Sequence, residues 1–398
     1  MKEARTLAHG LDGSWVEPDW PPIGWHEAAA VLREFAGSPE PSAILSHSPR
    51  PFSAASVVSL SGGGTLFIKR HHGSVRTAEG LREEHRFLAH LGQRGAPVVH
   101  VLSNRRGETA IEREGWCYEV HEVPAGCDLY VDALSWTPFK STHHARATGV
   151  MMARLHTAAE GFDAPPRKAR PLVASFSIFS AVDAERALQA YFIAHRELAE
   201  DALVRACARE SLAVLAPFHA RLKTLLPMLA PLWTHNDLHP SNLLWSSPTA
   251  SADAVAVIDF GLADCTTAVY DIAHAIERSI VGWLDLNPLD AAEDRLPLHL
   301  DQLVALLDGY QSERLLSTAE LEALAPMTAL CHAEFALSEA EYFCRILHDR
   351  EKTRLAVADY LLGHACWYRG KGGARLLAAI NAWAARQQSV TVEREIHP

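Results

Sequence analysis

The chain changes character near residues 123–128, and this change limits the folds open to it. Before that point, segments with strand-like patterns follow one another at 42–48, 53–60 and 65–70, separated by a proline-containing loop and a glycine-rich turn. Beyond it, alanine- and leucine-rich segments with a helical period dominate. We therefore predict an α+β chain in which a small β-rich lobe precedes a larger helical lobe.

The same patterns predict the remaining elements and a division of the chain. Strands are predicted at 97–102 and 116–122. Helices are predicted at 26–35, 77–94, 141–159, 181–227, 270–282, 299–315, 318–347, 351–368 and 371–387. Ser317 and Glu320 form a capping box at the start of one of them. We divide the chain into an N-terminal extension with its leading helix (1–40), the β-rich lobe (41–125) and the helical lobe (126–398).

Composition narrows the class of protein. Of the 398 residues, 48% are hydrophobic and 21% charged, with no run approaching the roughly 18 apolar residues of a membrane span. The N-terminal residues lack the apolar segment of a secretory signal. The formal net charge of −11 disfavours nucleic acid as a partner. We expect neither a membrane nor a nucleic-acid partner, and composition leaves the oligomeric state open.

The cysteines indicate a cytoplasmic protein, and the histidine doublets do not have the pattern of a zinc site. The seven cysteines are odd in number, scattered and never in a C-x-x-C pair, which suits a reducing compartment. The doublets His71-His72 and His143-His144 lack the helical spacing and the carboxylate context of a zinc site. We therefore interpret both doublets as surface histidines.

Residues 233–262 interrupt the helical pattern and carry the chemistry. They read WTHNDLHPSNLLW, a Ser/Ala-rich spacer, and then AVAVIDFGLA. Transfer of a phosphoryl group from ATP requires a carboxylate that accepts the proton of the attacking hydroxyl, and oxygen ligands that hold magnesium on the phosphates. Asp237, Asn242 and Asp259 would supply those groups. The segments LLW and AVAVI are predicted to form a short hairpin that presents Asp259.

This segment resembles a known pair of motifs. The run from His235 through Asp237 to Asn242, followed by Ile258-Asp259-Phe260, is similar to the catalytic loop (235–242) and metal loop (258–261) of the aminoglycoside phosphotransferase and choline kinase superfamily, relatives of the protein kinases. The resemblance implies the two-lobe protein-kinase-like fold, ATP and Mg²⁺ as cofactors, Asp237 as catalytic base, and Asn242 and Asp259 as metal ligands.

The resemblance also implies a nucleotide site in the β-rich lobe. Lys69 ends a predicted strand, as the family's phosphate-binding lysine does, and Glu84 matches the helix carboxylate that holds this lysine, with Glu83 as the alternative. The loop 48–53 would cover the phosphates and contribute Ser53. Backbone groups near Glu122 and Val123 would meet adenine.

Further positions follow from the same resemblance. Asp271 is expected to cap its helix and brace the catalytic loop, and His235 to orient that loop. Acidic or aromatic residues of the helical lobe would meet an ammonium group of the acceptor. By location, these candidates are Asp264, Glu277, Trp283, Glu334 and Glu341.

Three functions are compatible with these residues. The leading one is an ATP-dependent phosphotransferase acting on a hydroxyl of a small molecule, such as an amino alcohol, an aminoglycoside or a related metabolite. The second is an atypical Ser/Thr protein kinase of the bacterial stress-response type. The third is a non-catalytic nucleotide-binding regulator. The sequence does not fix the acceptor, the choice between ATP and GTP, or the role of residues 1–25.

Overall fold

The computed structural model describes residues 18–35, 40–168, 171–284 and 296–396. The β-rich lobe contains helix α1 (Trp25–Leu32), a five-stranded sheet and helix α2 (Ala78–Gln93). The strands are β1 (Pro41–His47), β2 (Ala54–Leu60), β3 (Thr65–His72), β4 (Ile111–Arg113) and β5 (Trp116–Glu122). The predicted meander and the predicted helix 77–94 are confirmed. Residues 1–17 of the predicted extension lie outside the described residues.

The sheet has the order β1-β2-β3-β5-β4, and all of its neighbouring strands are antiparallel. Directly opposed residues share a face, and strand residues two apart share it as well. Lys69 lies opposite Glu119, and Phe67 lies opposite His121, so these four side chains occupy one face. Helix α2 packs over that face, because its His85 bonds to Glu119. The space between the sheet and α2 therefore holds polar groups as well as apolar ones.

The segment 97–102 does not form the predicted strand. It makes only isolated bridges, between Val98 and Val257 and between Val101 and His121. Because these two bridges reach different lobes, the segment serves as a connection between the sheet and the helical lobe.

The helical lobe consists mainly of α-helices and also contains π-helical segments at Tyr342–Leu347 and Leu355–Leu362. Its helices are α3 (Thr142–Ala159), α4 (Ala184–Ala194), α5 (Arg196–Glu200), α6 (Ala202–Leu222), α7 (Ala268–Ile280), α8 (Leu300–Glu313), α9 (Thr318–Leu330), α10 (His332–Glu341), α11 (Arg350–Arg354), α12 (Gly363–Arg369) and α13 (Lys371–Ile396). The predicted Ser317–Glu320 capping box is present at α9.

Two long helices predicted from periodicity are broken in the structure. The stretch 181–227 forms α4, α5 and α6. The chain leaves helical geometry at His195 between α4 and α5, and the side chain of Asp201 accepts hydrogen bonds from the N–H groups of Leu203 and Val204 and so starts α6. The stretch 318–347 divides near Cys331 and ends in π-helical turns. Periodicity predicts the buried face of such segments and does not reveal where a cap interrupts them.

Two short antiparallel ladders fix the loops of the 233–262 segment. Strand β6 (Pro231–Thr234) pairs with β9 (Asp264–Thr267), and β7 (Leu243–Trp245) pairs with β8 (Ala254–Val257) as the predicted hairpin. The catalytic loop runs from β6 to β7, and the metal loop runs from β8 to β9. Each loop is thus anchored by paired strands at both ends.

Helices α3 and α8 touch backbone to backbone. A Cβ atom placed on Gly149 would overlap the Leu306 carbonyl oxygen, and one on Gly309 would overlap the Arg146 carbonyl oxygen. Only glycine permits this approach. The contact holds α3, which supplies His156 beneath the catalytic loop, against the rest of the helical lobe.

The histidine doublets are not both at the surface. His71 and His144 are buried, at 6% and 1% exposure, whereas His143 is exposed. His144 bonds to the Tyr130 hydroxyl (2.9 Å) and to the Thr249 carbonyl (3.0 Å). The surface interpretation is therefore wrong for one member of each doublet. In the described part of the chain, no helix is long and apolar enough to span a membrane.

Candidate active site

A cavity of about 670 Å³ lies between the sheet and the helical lobe. Eight of the residues predicted to form the site line it: Ser53, Lys69, Glu84, Glu122, Val123, Asp237, Asn242 and Asp259. They come from both lobes, and Lys69 and Asp259 are 190 positions apart in the chain. The fold therefore collects into one space the residues that the motifs singled out separately.

The catalytic-loop backbone is held by Asp271 of α7. Its carboxylate accepts hydrogen bonds from the N–H groups of His235 (3.1 Å) and Asn236 (2.8 Å), and bonds to His156 Nε2 (3.0 Å). Burial would raise the pKa of Asp271, but His156 and the loop donors outweigh it and hold that pKa below its ordinary value. Asp271 therefore braces the loop as an ionised group. The predicted capping role is wrong, because Thr267 caps α7.

His235 joins the two loops. Its Nδ1 accepts a hydrogen bond from the Asp237 N–H (3.1 Å), so the ring proton lies on Nε2, which donates to the Ile258 carbonyl (3.0 Å). Burial lowers the pKa of His235, which favours the neutral ring that these bonds require. His235 lies two residues before Asp237, and its bond partner Ile258 lies one residue before Asp259. It therefore has the geometry to orient the catalytic loop, as expected.

Asp237 faces the cavity with 18% of its side chain exposed. The Nδ2 group of Asn242 donates to Asp237 Oδ2 (3.1 Å) and to the Asp237 carbonyl (2.9 Å). The guanidinium of Arg278, from α7, forms an ion pair with Oδ1. Arg278 is fully buried, with its guanidinium carbon 4.9 Å from the ring centre of Phe335 and 5.6 Å from that of Trp136. The candidate base is therefore oriented from both sides.

Lys69 and Asp259 form the second charged pair in the cavity. Lys69 Nζ lies 2.8 Å from Asp259 Oδ1. Burial would raise the pKa of Asp259, but the Lys69 ammonium outweighs it and holds that pKa well below its usual range. Burial would lower the pKa of Lys69, but Asp259, with help from Glu119 and Glu84, raises it. Both groups are therefore charged at neutral pH.

The backbone at Asp259 adopts a rare conformation. Its φ of 60° lies in the left-handed region, which Asp tolerates better than most residues. Its Oδ1 also accepts a weak hydrogen bond from the Gly261 N–H (3.4 Å). A strained backbone held in place by its surroundings is frequent at functional sites.

Glu84 does not pair with Lys69 among the described side chains. Its Oε2 lies 3.4 Å from Arg167 Nη2, while Lys69 binds Asp259. Arg167 also donates to the Gly261 carbonyl (3.0 Å), and so does Arg76 (3.1 Å). The helix carboxylate is thus linked through Arg167 to the metal loop.

Oxygen donors suited to a divalent metal lie at the cavity wall. Asp259 is ionised, and Asn242 uses its Nδ2 group for Asp237, which leaves its Oδ1 carbonyl as a ligand atom. Carboxylate and amide oxygens are ligands that Mg²⁺ prefers. The residues present therefore fit the metal that the motifs imply.

Comparison with known protein families identifies the family of this chain. The model of the phosphotransferase enzyme family matches residues 49–316, which is more than half of the chain. The chain belongs to the phosphotransferase enzyme family. No curated protein sequence matches it.

Several solved structures share the fold. The microcompartment-associated aminopropanol kinase is 17% identical, with 88% of this chain and 98% of that one aligned and a TM-score of 0.55. Amicoumacin kinase is 13% identical, with 90% and 92% aligned and a TM-score of 0.52. Aminoglycoside 2′-phosphotransferase-IIIa is 12% identical, with 86% and 98% aligned and a TM-score of 0.50. The two-lobe kinase-like fold is therefore confirmed for this phosphotransferase.

The five predicted acceptor residues do not line the cavity of this phosphotransferase. Asp264 accepts hydrogen bonds from the Arg167 N–H (2.7 Å) and the Ser175 hydroxyl (2.7 Å). Glu334 accepts from the Ser177 N–H (2.6 Å) and hydroxyl (2.8 Å). Both carboxylates hold parts of the segment between α3 and α4 in place. Neither is available to an acceptor.

The other three candidates are also internal. Glu277 lies 3.0 Å from His364 Nδ1, and its carbonyl accepts a hydrogen bond from Trp283 Nε1 (2.6 Å). Glu341 lies 2.7 Å from His195 Nδ1. Acidity and position in the helical lobe do not distinguish a carboxylate that holds an internal partner from one that faces the cavity. The residues predicted to bind the acceptor are therefore not the ones that face it.

The motifs did not reveal several residues that face the cavity: Arg50, Asp128, Trp136, Arg278, Phe335 and Glu339. Helical geometry offered a signal for two of them. Arg278 follows Asp271 by seven residues, or two turns, and so lies on the face of α7 that meets the catalytic loop. Glu339 is five residues from Glu334 on α10, which places it on a different face from that internal carboxylate.

Proposed function

We propose that this phosphotransferase moves the γ-phosphate of ATP to a hydroxyl of a small molecule, with Asp237 as the base. One observation carries the proposal. A carboxylate oriented by Asn242 and Arg278 shares one cavity with a charged lysine–carboxylate pair, Lys69 and Asp259, contributed by both lobes. Phosphoryl transfer requires this combination of a positioned proton acceptor and charge stabilisation around the phosphates.

Each charged residue has a role in the proposed reaction. Lys69 binds the phosphates of the nucleotide, and Asp259 and Asn242 hold the metal. Mg²⁺, when bound, neutralises charge on the phosphates. The acceptor oxygen forms a bond to the γ-phosphorus as the bond to the β–γ bridging oxygen breaks, and Asp237 Oδ1 or Oδ2 accepts the hydroxyl proton.

The nucleotide is placed at the junction between residues 41–125 and the helical lobe. Ser53 and the loop 48–53 line the cavity above the charged pair. The Glu122 N–H already donates to the His100 carbonyl (3.0 Å). Of the two predicted adenine contacts, the Val123 N–H is therefore the better donor to a base.

Arg50 closes the phosphate loop over the cavity. Its guanidinium donates to the Ser135 hydroxyl (3.0 Å) and to the Ala133 carbonyl (3.4 Å), both in the helical lobe. These bonds would hold the loop down on a bound nucleotide.

The acceptor is proposed to carry an amino group. Glu339 and Asp128 are carboxylates of the cavity wall, and Trp136 and Phe335 offer aromatic faces. Structures that share the fold include an aminopropanol kinase and an aminoglycoside phosphotransferase. Glu339 and Asp128 replace the internal carboxylates first predicted to bind the acceptor.

The proposal also includes the nucleotide that the protein uses and the compartment in which it works. Amicoumacin kinase was crystallised with AMP-PNP and Ca²⁺, and aminoglycoside 2′-phosphotransferase-IIIa with GDP. We favour ATP with Mg²⁺ and treat GTP as a second nucleotide to be tested. The cysteines are scattered and never form a C-x-x-C pair, in keeping with a reducing cytoplasm.

The proposal is tested by measuring nucleotide consumption by purified protein against a panel of acceptors. The panel contains amino alcohols, aminoglycosides, sugars and a generic protein substrate, each with ATP or GTP and Mg²⁺. Acceptor-dependent consumption that is lost in Asp237→Asn supports the proposal. Labelling of the protein substrate alone would favour a protein kinase, and tight nucleotide binding without consumption under any condition would favour a regulator.

A further inference from the structure

A cluster of imidazoles surrounds one buried carboxylate between the sheet and α2. Glu119 Oε2 lies 2.6 Å from His85 Nε2 and 3.0 Å from His121 Nε2. Its other oxygen, Oε1, lies 3.0 Å from His71 Nε2. One ligand atom each from His85, Glu119 and His121 lies within 4.8 Å of the other two.

Strand geometry creates this arrangement. Glu119 and His121 are two residues apart on β5 and therefore point to the same face, and His85 approaches them from α2. All three are buried, at 1%, 8% and 4% exposure. The space between a sheet and its covering helix is normally filled by apolar side chains, and a buried carboxylate is costly unless it is well compensated.

The charge state of the cluster suits a cation. Burial would raise the pKa of Glu119, but His121, His71 and His85 outweigh it and hold that pKa well below its ordinary value. Burial lowers the pKa of His71. The cluster therefore offers an ionised carboxylate, which is the form of this group that binds metals.

Outer hydrogen bonds support two of the three donors, His85 and Glu119. His85 Nδ1 lies 2.8 Å from the Thr109 hydroxyl, and His71 bonds to the Glu119 oxygen that faces away from His85. Metal-binding histidines and carboxylates are usually held by such second partners, which fix ring orientation and tautomer.

We propose that His85, Glu119 and His121 bind a first-row divalent transition metal, with Zn²⁺ as the best match, at a site distinct from the metal loop. Two imidazoles and one carboxylate form a ligand set known for zinc, with a further position open to water. Ligand atoms around zinc lie about 3.3 Å apart, so binding needs only a small outward movement of the present donors. On metal binding each ring carries its single proton on Nδ1 instead of Nε2, and the His85 Nδ1–H then donates to Thr109.

The proposed site borders the cavity through His121. His71 and His121 both line the cavity wall, as does Lys69, which lies opposite Glu119 in the sheet. The proposed metal would sit behind the phosphate-binding lysine. Its presence does not depend on the proposed reaction, and it is measured without nucleotide or acceptor.

The test is metal retention by the full chain. The protein is stripped with a chelator, equilibrated with Zn²⁺ or Co²⁺ and dialysed, after which bound metal is measured by mass spectrometry and the Co²⁺ form by visible absorption. One equivalent per chain, with the intense d–d bands of a low-coordinate site, is expected. Wild type that retains no metal overturns the proposal without any variant.

Variants locate the ion. Glu119→Gln and His121→Gln are expected to weaken Zn²⁺ binding at least about tenfold, with folding verified by circular dichroism. Two controls are expected to retain the metal: His143→Gln, which alters an exposed histidine paired with Asp253 (3.1 Å), and Asp259→Asn, which alters the metal loop. Equal retention by Glu119→Gln, His121→Gln and wild type, or loss in Asp259→Asn alone, contradicts the proposal.

Discussion

The buried guanidinium of Arg278 forms an ion pair with the carboxylate of Asp237, the residue proposed as the catalytic base. The pair joins α7 to the catalytic loop. Asp237 therefore has two functions in this chain, since it both faces the cavity and neutralises a cation that water does not reach. This dual role determines which substitution at Asp237 isolates its chemistry.

Asp237→Ala is expected to destabilise the fold as well as stop turnover. Removal of the Asp237 carboxylate leaves the buried guanidinium with the more distant carboxylate of Glu277, whose Oε2 lies 3.9 Å from Arg278 Nε, and the expected loss in the free energy of unfolding is about 3 kcal/mol. Asp237→Asn keeps the shape and an oxygen toward Arg278, so its loss is smaller. Urea denaturation measures both, and the double variant Asp237→Ala/Arg278→Met should recover part of the loss. An alanine variant as stable as wild type would show that the ion pair is unimportant.

Lys69→Met is expected to weaken nucleotide binding at least about tenfold, because a charge-assisted contact with the phosphates is lost. It also removes the cation that depresses the pKa of Asp259, so that pKa should rise. Isothermal titration calorimetry with a nonhydrolysable ATP analogue measures the affinity. Lys371→Met, at an exposed lysine of α13, serves as the control and should bind normally. Undiminished affinity in Lys69→Met would exclude the phosphate role.

Gly149→Ala is expected to destabilise the protein by about 3 kcal/mol or more, because the new methyl group overlaps the α8 backbone rather than a movable side chain. The matched control is Gly92→Ala near the end of α2, where the nearest atom is 4.0 Å away in the Val98 side chain. That change should be neutral or slightly stabilising, since alanine favours helix. Thermal unfolding compares the two. Similar melting temperatures would refute the close approach of α3 and α8.

Buried histidines should make the protein sensitive to acid. Burial lowers the pKa of His274 and that of His332 to about 3. The unfolded chain binds these protons near pH 6.5 and the native chain does not, so stability is full above pH 6.5 and declines as pH falls toward 3. Each histidine contributes up to about 1.4 kcal/mol per pH unit in that window. His274→Phe should flatten the profile measured by urea unfolding between pH 7.5 and 5.5, and an unchanged slope would contradict the assignment.

The sequence predicted those parts of the site that depend on the spacing of residues close together in the chain. The catalytic and metal loops depend on the spacing within 233–262, and the short strands that anchor them were visible as LLW and AVAVI. Lys69 was identifiable because it lies at the end of the strand pattern TLFIK that follows the glycine-rich turn 61–64, although the strand itself continues to His72. These features depend only on residues that are neighbours in the chain, so they can be recognised without knowledge of the fold.

Partners across the fold were not predictable in the same way. The partner of Glu84 is Arg167, which follows α3 in a segment without regular periodicity. Whether an acidic residue of α10 faces the cavity, as Glu339 does, or an internal loop, as Glu334 does, depends on how that helix is rotated against its neighbours. Residue spacing places Glu334 and Glu339 on different faces of the helix, but tertiary packing decides which of these faces meets the cavity.

The central claim, that Asp237 accepts the hydroxyl proton as phosphate moves from nucleotide to acceptor, is tested most directly by following the label of [γ-³²P]ATP. Wild type and Asp237→Asn are compared with the best acceptor from the panel, after calorimetry has shown that both bind the ATP analogue. We predict labelled acceptor with wild type and a loss of at least about a hundredfold in its rate of formation with Asp237→Asn. Equal rates of label transfer with equal nucleotide affinity would contradict the account.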